Sequence, residues 1–254
     1  MKIRTLRRVN YNPGVAKAYA KAMLSVIGEM TKSADYWVKA QWNAKLTGRS
    51  MDEIAENLDE LKQGWVAKFD NLSLRVAPAF AKQIERGTTM ALKKSLSAYD
   101  IPTVRFSMTK EMQQAMDGIV AENVNLIKSI PERYFTQVQT IALQSITRGR
   151  DLQYMTDELV KQTGITRRRA ANIARDQNNK ATAELSKVRQ EALGITEGIW
   201  IHSGGGSEPR PKHVKANGRR FKLAEGLPVG EGGEYVLPGQ EINCGCTWKP
   251  VLPY

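Results

Sequence analysis

The chain has few of the side chains that form disulfides or bind soft metals, since its 254 residues include only two cysteines and two histidines. Two cysteines that lie two positions apart argue against an extracellular disulfide framework. No stretch approaches the roughly 20 consecutive apolar residues that a membrane helix needs. The basic N-terminus, residues 1–8, is followed by no apolar run typical of a secretory signal. We therefore expect a soluble protein that is intracellular at synthesis and has no membrane partner.

Acidic residues are also in deficit. The chain has 38 Lys and Arg against 26 Asp and Glu, which gives a net charge of +12 and a pI near 9.7. Such a balance favours an anionic partner, either nucleic acid or an acidic protein surface, and charge alone does not choose between them. With 41% hydrophobic residues, the chain is long enough to bury an ordinary core in one or two domains.

Apolar residues recur at three- and four-residue steps through most of the first 195 positions, which is typical of amphipathic helices. Residues 100–107 break this period with a proline and mark the main boundary. We expect Pro131 to end one helix at Ile130, because the residue before a proline disfavours the helical conformation. We expect two further helices to end at Gly149 and near Gly164.

The composition changes after the helical run. Residues 198–201 predict a strand, and residues 203–254 contain ten glycines and six prolines, which indicates loops with short strands. The predicted fold is mainly α, with a helical N-terminal and central body and a small, loop-rich α+β C-terminal module. The predicted segments are 1–105, 106–197 and 198–254.

Every histidine and cysteine of the chain lies in the C-terminal module, at His202, His213, Cys244 and Cys246. Two thiolates and two imidazoles would complete a closed tetrahedral zinc site. The Cys-x-Cys spacing and the eleven-residue gap between the histidines are outside the usual finger pattern, so two buried free thiols are the alternative. In either case we expect His213 to lie near both cysteines, which requires a loop of about thirty residues to fold back.

The most charged helix is predicted to begin at Thr166, as an N-cap. Seven cations and two acids lie within residues 166–190. One interpretation is a solvated helix face. The other is sequence-independent binding to double-stranded DNA, since arginine forks suit phosphate and no aromatic residues interleave for base stacking. The candidate phosphate ligands are Arg167, Arg168, Arg169, Arg175 and Lys180.

Three amides in the middle of that helix, Gln177, Asn178 and Asn179, are unusual because asparagine is a poor helix former. We expect some of them to hydrogen-bond to the C-terminal module.

Catalysis is weakly supported by the sequence. A thiol nucleophile would need Cys244 or Cys246 beside His213, but two cysteines that flank a glycine resemble paired ligands or a packed corner. A metal-dependent nuclease would use His202 or His213 as base, yet the module has no aspartate and no carboxylate motif. We therefore expect no enzymatic activity, and a metal-dependent nuclease of phage origin is the alternative.

Several motifs resemble one family. They are Trp200-Ile201-His202-Ser203 with three glycines, Pro209-Arg210-x-x-His213, Asn217-Gly218, Pro238-Gly239 and Ile242-Asn243-Cys244-x-Cys246, with upstream matches at residues 122–131 and 169–180. Together they resemble the Mu F-like head morphogenesis proteins, which are minor head proteins of tailed double-stranded DNA bacteriophages. Many members have arginine between the two cysteines, where this chain has Gly245.

The resemblance implies a minor capsid protein that associates with the portal and capsid components during procapsid assembly and contacts packaged DNA. It also implies location in the virion, at the portal vertex or inside the head, after assembly in the host cytoplasm. We expect residues 1–105, where the resemblance is weak, to serve oligomerisation or portal docking. Trp37, Trp42 and Trp65 are the candidate anchors, because interface hot spots favour tryptophan.

Overall fold

The computed structural model describes residues 3–43, 51–99, 106–149, 151–205 and 208–253. Four long helices come first: α1 (Pro13–Asn43), α2 (Met51–Ser97), α3 (Lys110–Thr147) and α4 (Leu152–Glu191). The remaining elements are short: β1 (Glu197–Ile201), α5 (Pro211–Ala216), β2 (Arg220–Lys222), β3 (Leu227–Pro228), β4 (Tyr235–Val236) and β5 (Thr247–Val251). The predicted fold class, mainly α with a small C-terminal module of short strands, is confirmed.

The described residues form two compact units. The helical unit comprises Lys17–Pro78 and Ala121–Ala174, and the terminal unit comprises Met1–Ala16, Ala79–Val120 and Arg175–Tyr254. The division into segments 1–105, 106–197 and 198–254 stays a prediction. Residues 100–105 of the predicted break lie outside the described residues.

The predicted helix end at Ile130 is wrong, because α3 continues through Pro131 to Thr147. A proline inside a helix costs about 3 kcal/mol, since it removes a hydrogen bond and crowds the preceding turn. The apolar stripe keeps its phase across the proline. Each large apolar side chain that it buries contributes about 1.5–3 kcal/mol, which offsets that cost. The buried residues on both sides are Ile127, Ile130, Tyr134, Phe135 and Val138.

The predicted helix end near Gly164 and the predicted N-cap at Thr166 are also wrong. Helix α4 runs unbroken through both positions, and the buried Thr166 hydroxyl donates to the carbonyl of Gln162 at 2.9 Å. A single interior glycine costs only about 1 kcal/mol. The N-terminus of this helix lies instead at Asp151, whose carboxylate accepts the N–H of Tyr154 at 2.9 Å.

The core of the helical unit is apolar with a few satisfied polar groups. Its fully buried residues include Met23, Ile27 and Phe69. The buried hydroxyl of Tyr19 donates to Oδ1 of Asn123 at 2.7 Å. Burial and the nearby charge of Glu122 raise the pKa of Tyr19, so its hydroxyl stays neutral and able to donate.

The terminal unit is built on a three-stranded antiparallel sheet in the order β2-β1-β5, beside a two-stranded pair of β3 and β4. The N-terminal segment lies along β5. The N–H of Leu6 donates to the carbonyl of Pro250, and the N–H of Leu252 donates to the carbonyl of Arg4. The basic segment at the start of the chain therefore pairs with β5 through an isolated bridge, with the Leu6 side chain fully buried.

Large aromatic rings fill the core of the terminal unit. The rings of Trp200, Phe221 and Trp248 meet edge to face. Gly198 lies beneath them, and a Cβ at this position would come within 2.7 Å of the Trp248 ring. The sheet requires glycine there because the rings approach its backbone so closely. Other segments complete the core with Leu92, Leu96 and Ala183.

Candidate metal centre

The structure brings together three of the four predicted metal ligands. Nδ1 of His213 lies 3.5 Å from Sγ of Cys244 and 3.8 Å from Sγ of Cys246. The three ligand atoms lie within 4.8 Å of one another, and all three residues are buried. The predicted proximity of His213 to both cysteines is confirmed. Among the described residues, no other group of three histidine, cysteine or carboxylate side chains has this arrangement.

His213 enters the cluster from helix α5. Pro211 occupies the first helical turn, where its missing N–H costs nothing. The His213 ring packs edge to face on the indole of Trp200, with the ring centres 5.3 Å apart. Its other nitrogen, Nε2, lies 2.7 Å from Oε2 of Glu241. A carboxylate at this distance favours a proton on Nε2, which leaves the Nδ1 lone pair directed at the two sulfurs.

The two cysteines lie in the loop between β4 and β5, whose backbone is held from helix α4. The carboxylate of Asp176 accepts the N–H of Asn243 at 2.6 Å. Nδ2 of Asn179 donates to the carbonyl of Cys244 at 3.0 Å, so the expectation that an α4 amide reaches the module is confirmed. The side chain of Asn178 donates instead to the carbonyl of Asn12.

The tight turn before Cys244 depends on Asn243 and not on the glycine between the cysteines. Asn243 has φ of 58°, the left-handed conformation that asparagine tolerates better than most residues. A Cβ at Gly245 would come within 3.2 Å of the exposed Ser203 side chain, a close contact that a small shift of that serine would relieve.

The two thiols differ in acidity. Hydrogen bonds from the Cys246 thiol and from two backbone N–H groups lower the pKa of Cys244 to about 5, against the opposing effect of burial. One of those N–H groups belongs to Gly239, 3.4 Å from Sγ. The pKa of Cys246 is raised, because its thiol donates to Cys244 and is itself buried. A cation in the cluster would therefore meet one sulfur that is already disposed to ionise.

His202 does not belong to the cluster. Its Nδ1 accepts the N–H of Gly204 at 3.1 Å, and its own backbone N–H donates to Asn217. His202 lines a solvent-facing recess of about 830 Å³ that the three clustered residues also line. Its role as a metal ligand stays a prediction.

The sequence gives no indication that Glu241 lies beside His213. Glu241 precedes Cys244 by three residues, but that spacing does not show that α5 delivers His213 to the same place. Arg210 also reaches this loop, with Nη2 donating to the carbonyl of Ile242 at 2.9 Å.

The five predicted phosphate ligands have different surroundings. Arg167 and Arg168 are exposed on α4. Arg169 is half-buried and donates to Oγ of Ser129 at 2.9 Å, and burial together with the charge of Arg133 lowers its pKa.

Arg175 and Lys180 contact residues of the terminal unit. Arg175 donates to Oδ1 of Asn243 at 3.2 Å, and Lys180 forms an ion pair with Asp176 at 3.0 Å. Arg175 is also exposed but is held by Asn243, so the exposed Arg167 and Arg168 are the members of the set best placed to meet a ligand from solvent.

Comparisons with known proteins concern the C-terminal half. Residues 136–249 match the model of a family described as Phage Mu protein F like protein. The stretch at 122–131 lies outside that match. An uncharacterized protein of Haemophilus influenzae is 34% identical over 142 residues, which is 55% of this chain and 30% of that relative. No solved structure matches the chain. Over residues 136–249, just under half of its length, the chain therefore resembles the phage Mu protein F like family.

Proposed function

We propose that this chain is a minor capsid protein that acts in head morphogenesis of a tailed double-stranded DNA bacteriophage. The observation that carries the proposal is the family match of residues 136–249, which covers the whole of α4 and the cluster of His213, Cys244 and Cys246. The match with the curated relative spans less than a third of that protein. The roles in portal association and DNA contact therefore rest on the family resemblance and on the charge of the chain.

A structural role accords with the form of the protein. Long helices such as α2, with 47 residues, provide extended surfaces, and their described residues contain no group of three His, Cys, Asp or Glu side chains that could hold a metal ion. No helix in the described part of the chain is long and apolar enough to cross a membrane. We propose that the chain meets the portal protein and capsid components during procapsid assembly in the host cytoplasm and then stays in the virion.

The direct test is genetic. Disruption of the gene in the phage or prophage that encodes it should reduce the yield of DNA-filled heads, and complementation with the intact gene should restore it. Mass spectrometry of purified wild-type heads should find the protein at a defined copy number. Normal heads from the disrupted phage, together with absence of the protein from wild-type heads, would contradict the proposal.

The second candidate function is a metal-dependent nuclease that would use the cluster of His213, Cys244 and Cys246. Its donors are two thiols and an imidazole, which suit zinc rather than the oxygen-binding Mg²⁺ of two-metal nucleases. The described residues contain no group of three carboxylates that would hold Mg²⁺. A plasmid-nicking assay with added magnesium, manganese or zinc separates the two candidates. Nicking that disappears in the Cys244→Ser variant would favour the nuclease.

A further inference from the structure

We propose that His213, Cys244 and Cys246 form a zinc site with three protein ligands, whose fourth coordination position opens into the recess. The proposal goes beyond the role in head assembly, because it assigns a metal and a coordination number to one buried cluster. It differs from the closed four-ligand site expected from the sequence, because His202 is placed outside the coordination sphere.

The distances fit a tetrahedral metal. Zinc lies at about 2.3 Å from thiolate sulfur and about 2.0–2.1 Å from imidazole nitrogen, which puts sulfur and nitrogen about 3.6 Å apart at the tetrahedral angle. The two sulfur-to-nitrogen distances of the cluster are 3.5 Å and 3.8 Å. The sulfur-to-nitrogen distances therefore already match those of a tetrahedral zinc site.

The surroundings of His213 also fit. Histidine ligands of zinc usually donate their second ring N–H to a carboxylate, which fixes the tautomer and the ring orientation. Glu241 lies 2.7 Å from Nε2. These two buried atoms have no other hydrogen-bond partner among the described residues. The Glu241 carboxylate is thus placed to orient the His213 ring as a metal ligand.

The polar groups around Cys244 support a thiolate. The N–H of Gly239 points at its sulfur, and the carbonyl of Cys244 is held by Asn179. Two buried thiolates would need a cation to compensate their charge. Zinc with two thiolates is neutral overall, so it satisfies the cluster without adding net charge to the core.

The fourth position follows from where the recess lies. All three ligand residues line it, together with Tyr11, Ser203 and Arg175. A tetrahedral metal bound to His213, Cys244 and Cys246 would direct its fourth coordination position to this solvent-facing side. Structural zinc sites have four protein ligands, whereas sites that bind an exchangeable group have three and a water. We assign the fourth position to water, which small donors can replace.

Metal analysis tests the first part of the proposal. The full chain is purified without a metal-affinity tag, incubated with zinc chloride, desalted and analysed by plasma mass spectrometry. One zinc per chain is expected. A zinc content far below one per chain in well-folded protein would overturn the proposal.

Ligand variants test which residues hold the metal. His213→Ala, Cys244→Ser and Cys246→Ser should lose stoichiometric zinc. Glu241→Gln should bind it about 10–100-fold more weakly, whereas the exposed control Glu225→Gln should match the wild type. His202→Ala should retain one zinc with unchanged affinity, and loss of zinc in this variant would overturn the open site. If a cysteine variant fails to fold, the wild-type zinc content and the His202 and Glu241 variants still decide.

Cobalt replacement tests the open position. The cobalt-substituted protein should show an absorption spectrum typical of tetrahedral coordination with thiolate ligands. Azide or imidazole should then shift the spectrum in a saturable way, both in the wild type and in His202→Ala. A spectrum that does not respond to either donor indicates a closed site and would overturn the assignment of water to the fourth position.

Discussion

The carboxylate of Asp176 accepts a hydrogen bond from the backbone N–H of Asn243, although 67 residues separate them. Asn243 is the described non-glycine residue with a left-handed backbone, and Cys244 follows it directly. A hydrogen bond to a charged group at such a position contributes about 1.5–3 kcal/mol. One side chain of α4 thus stabilises the turn that presents the first cysteine.

We expect Asp176→Ala to lower the free energy of unfolding by about 1–3 kcal/mol, because it leaves the N–H of Asn243 unpaired. Urea denaturation measures the change. Asp176→Asn keeps an acceptor and should lose less. The matched control is Asp117→Ala, an exposed aspartate on α3, which should change stability by less than about 0.5 kcal/mol. Equal stability of Asp176→Ala and wild type would refute the role of this bond.

Arg189 gives a second prediction. Its buried guanidinium binds Glu85 at 2.5 Å, Oγ1 of Thr89 at 3.1 Å and the carbonyl of Ser107 at 2.6 Å. Removing one partner of a buried pair leaves an uncompensated charge, so Arg189→Ala should destabilise the protein by about 3–5 kcal/mol. Replacing Arg189 and Glu85 together by methionine and leucine should cost less than Arg189→Ala. Additive losses in this double-mutant cycle would show that the two residues are independent.

The tryptophans predicted as docking anchors differ in the exposure of their side chains. Trp37 is 49% exposed and Trp65 is 5% exposed, while the side chain of Trp42 lies outside the described part of the chain. Trp65→Ala should destabilise the helical unit by about 3–5 kcal/mol through cavity formation. Trp37→Ala should leave the thermal melt nearly unchanged and reduce co-purification with the portal protein. Unchanged portal recovery would exclude Trp37 as a docking anchor.

The DNA prediction now concerns Arg167 and Arg168. If they contact phosphate, the double alanine variant should bind duplex DNA more weakly at low salt, and the slope of log affinity against log salt should fall by about 1 per lost contact. Fluorescence anisotropy at two salt concentrations measures this. The control variant, Lys82→Ala with Arg86→Ala, removes two exposed cations elsewhere. Equal losses in both variants would mean that only net charge matters.

The sequence predicted local elements better than their ends. The start of α3 follows a local rule, because Thr109 accepts the N–H of Met112 as a capping threonine does. The strand at Gly198–Ile201 is part of β1, and Gly149 follows α3 with φ of 77°. Pro131 and Gly164 misled the prediction because their local cost is smaller than the burial gained by continuing the helix. That gain depends on packing partners far away in sequence.

The candidate site was predictable in composition but not in geometry. The rare residue types at His213, Cys244 and Cys246 indicated that the three side chains form one site, and the structure confirms their proximity. The position of Glu241 beside His213, and the exclusion of His202 from the cluster, depend on how α5 and the β4–β5 loop pack. No spacing rule in the sequence encodes that packing. The pairing of the N-terminal segment with β5 was hidden for the same reason, since its partners lie at the other end of the chain.

Helix α4 touches the C-terminal module through Asp176, Asn179 and Gln190, the last of which accepts the indole N–H of Trp248 at 2.7 Å. These positions are three and eleven residues apart, so they share one side of the helix. Deleting or inserting one residue between Asn179 and Gln190 would rotate the later contact by about 100°. Homologous chains should therefore vary in sequence along this segment but keep its length, and alignment gaps should fall in the loops that follow.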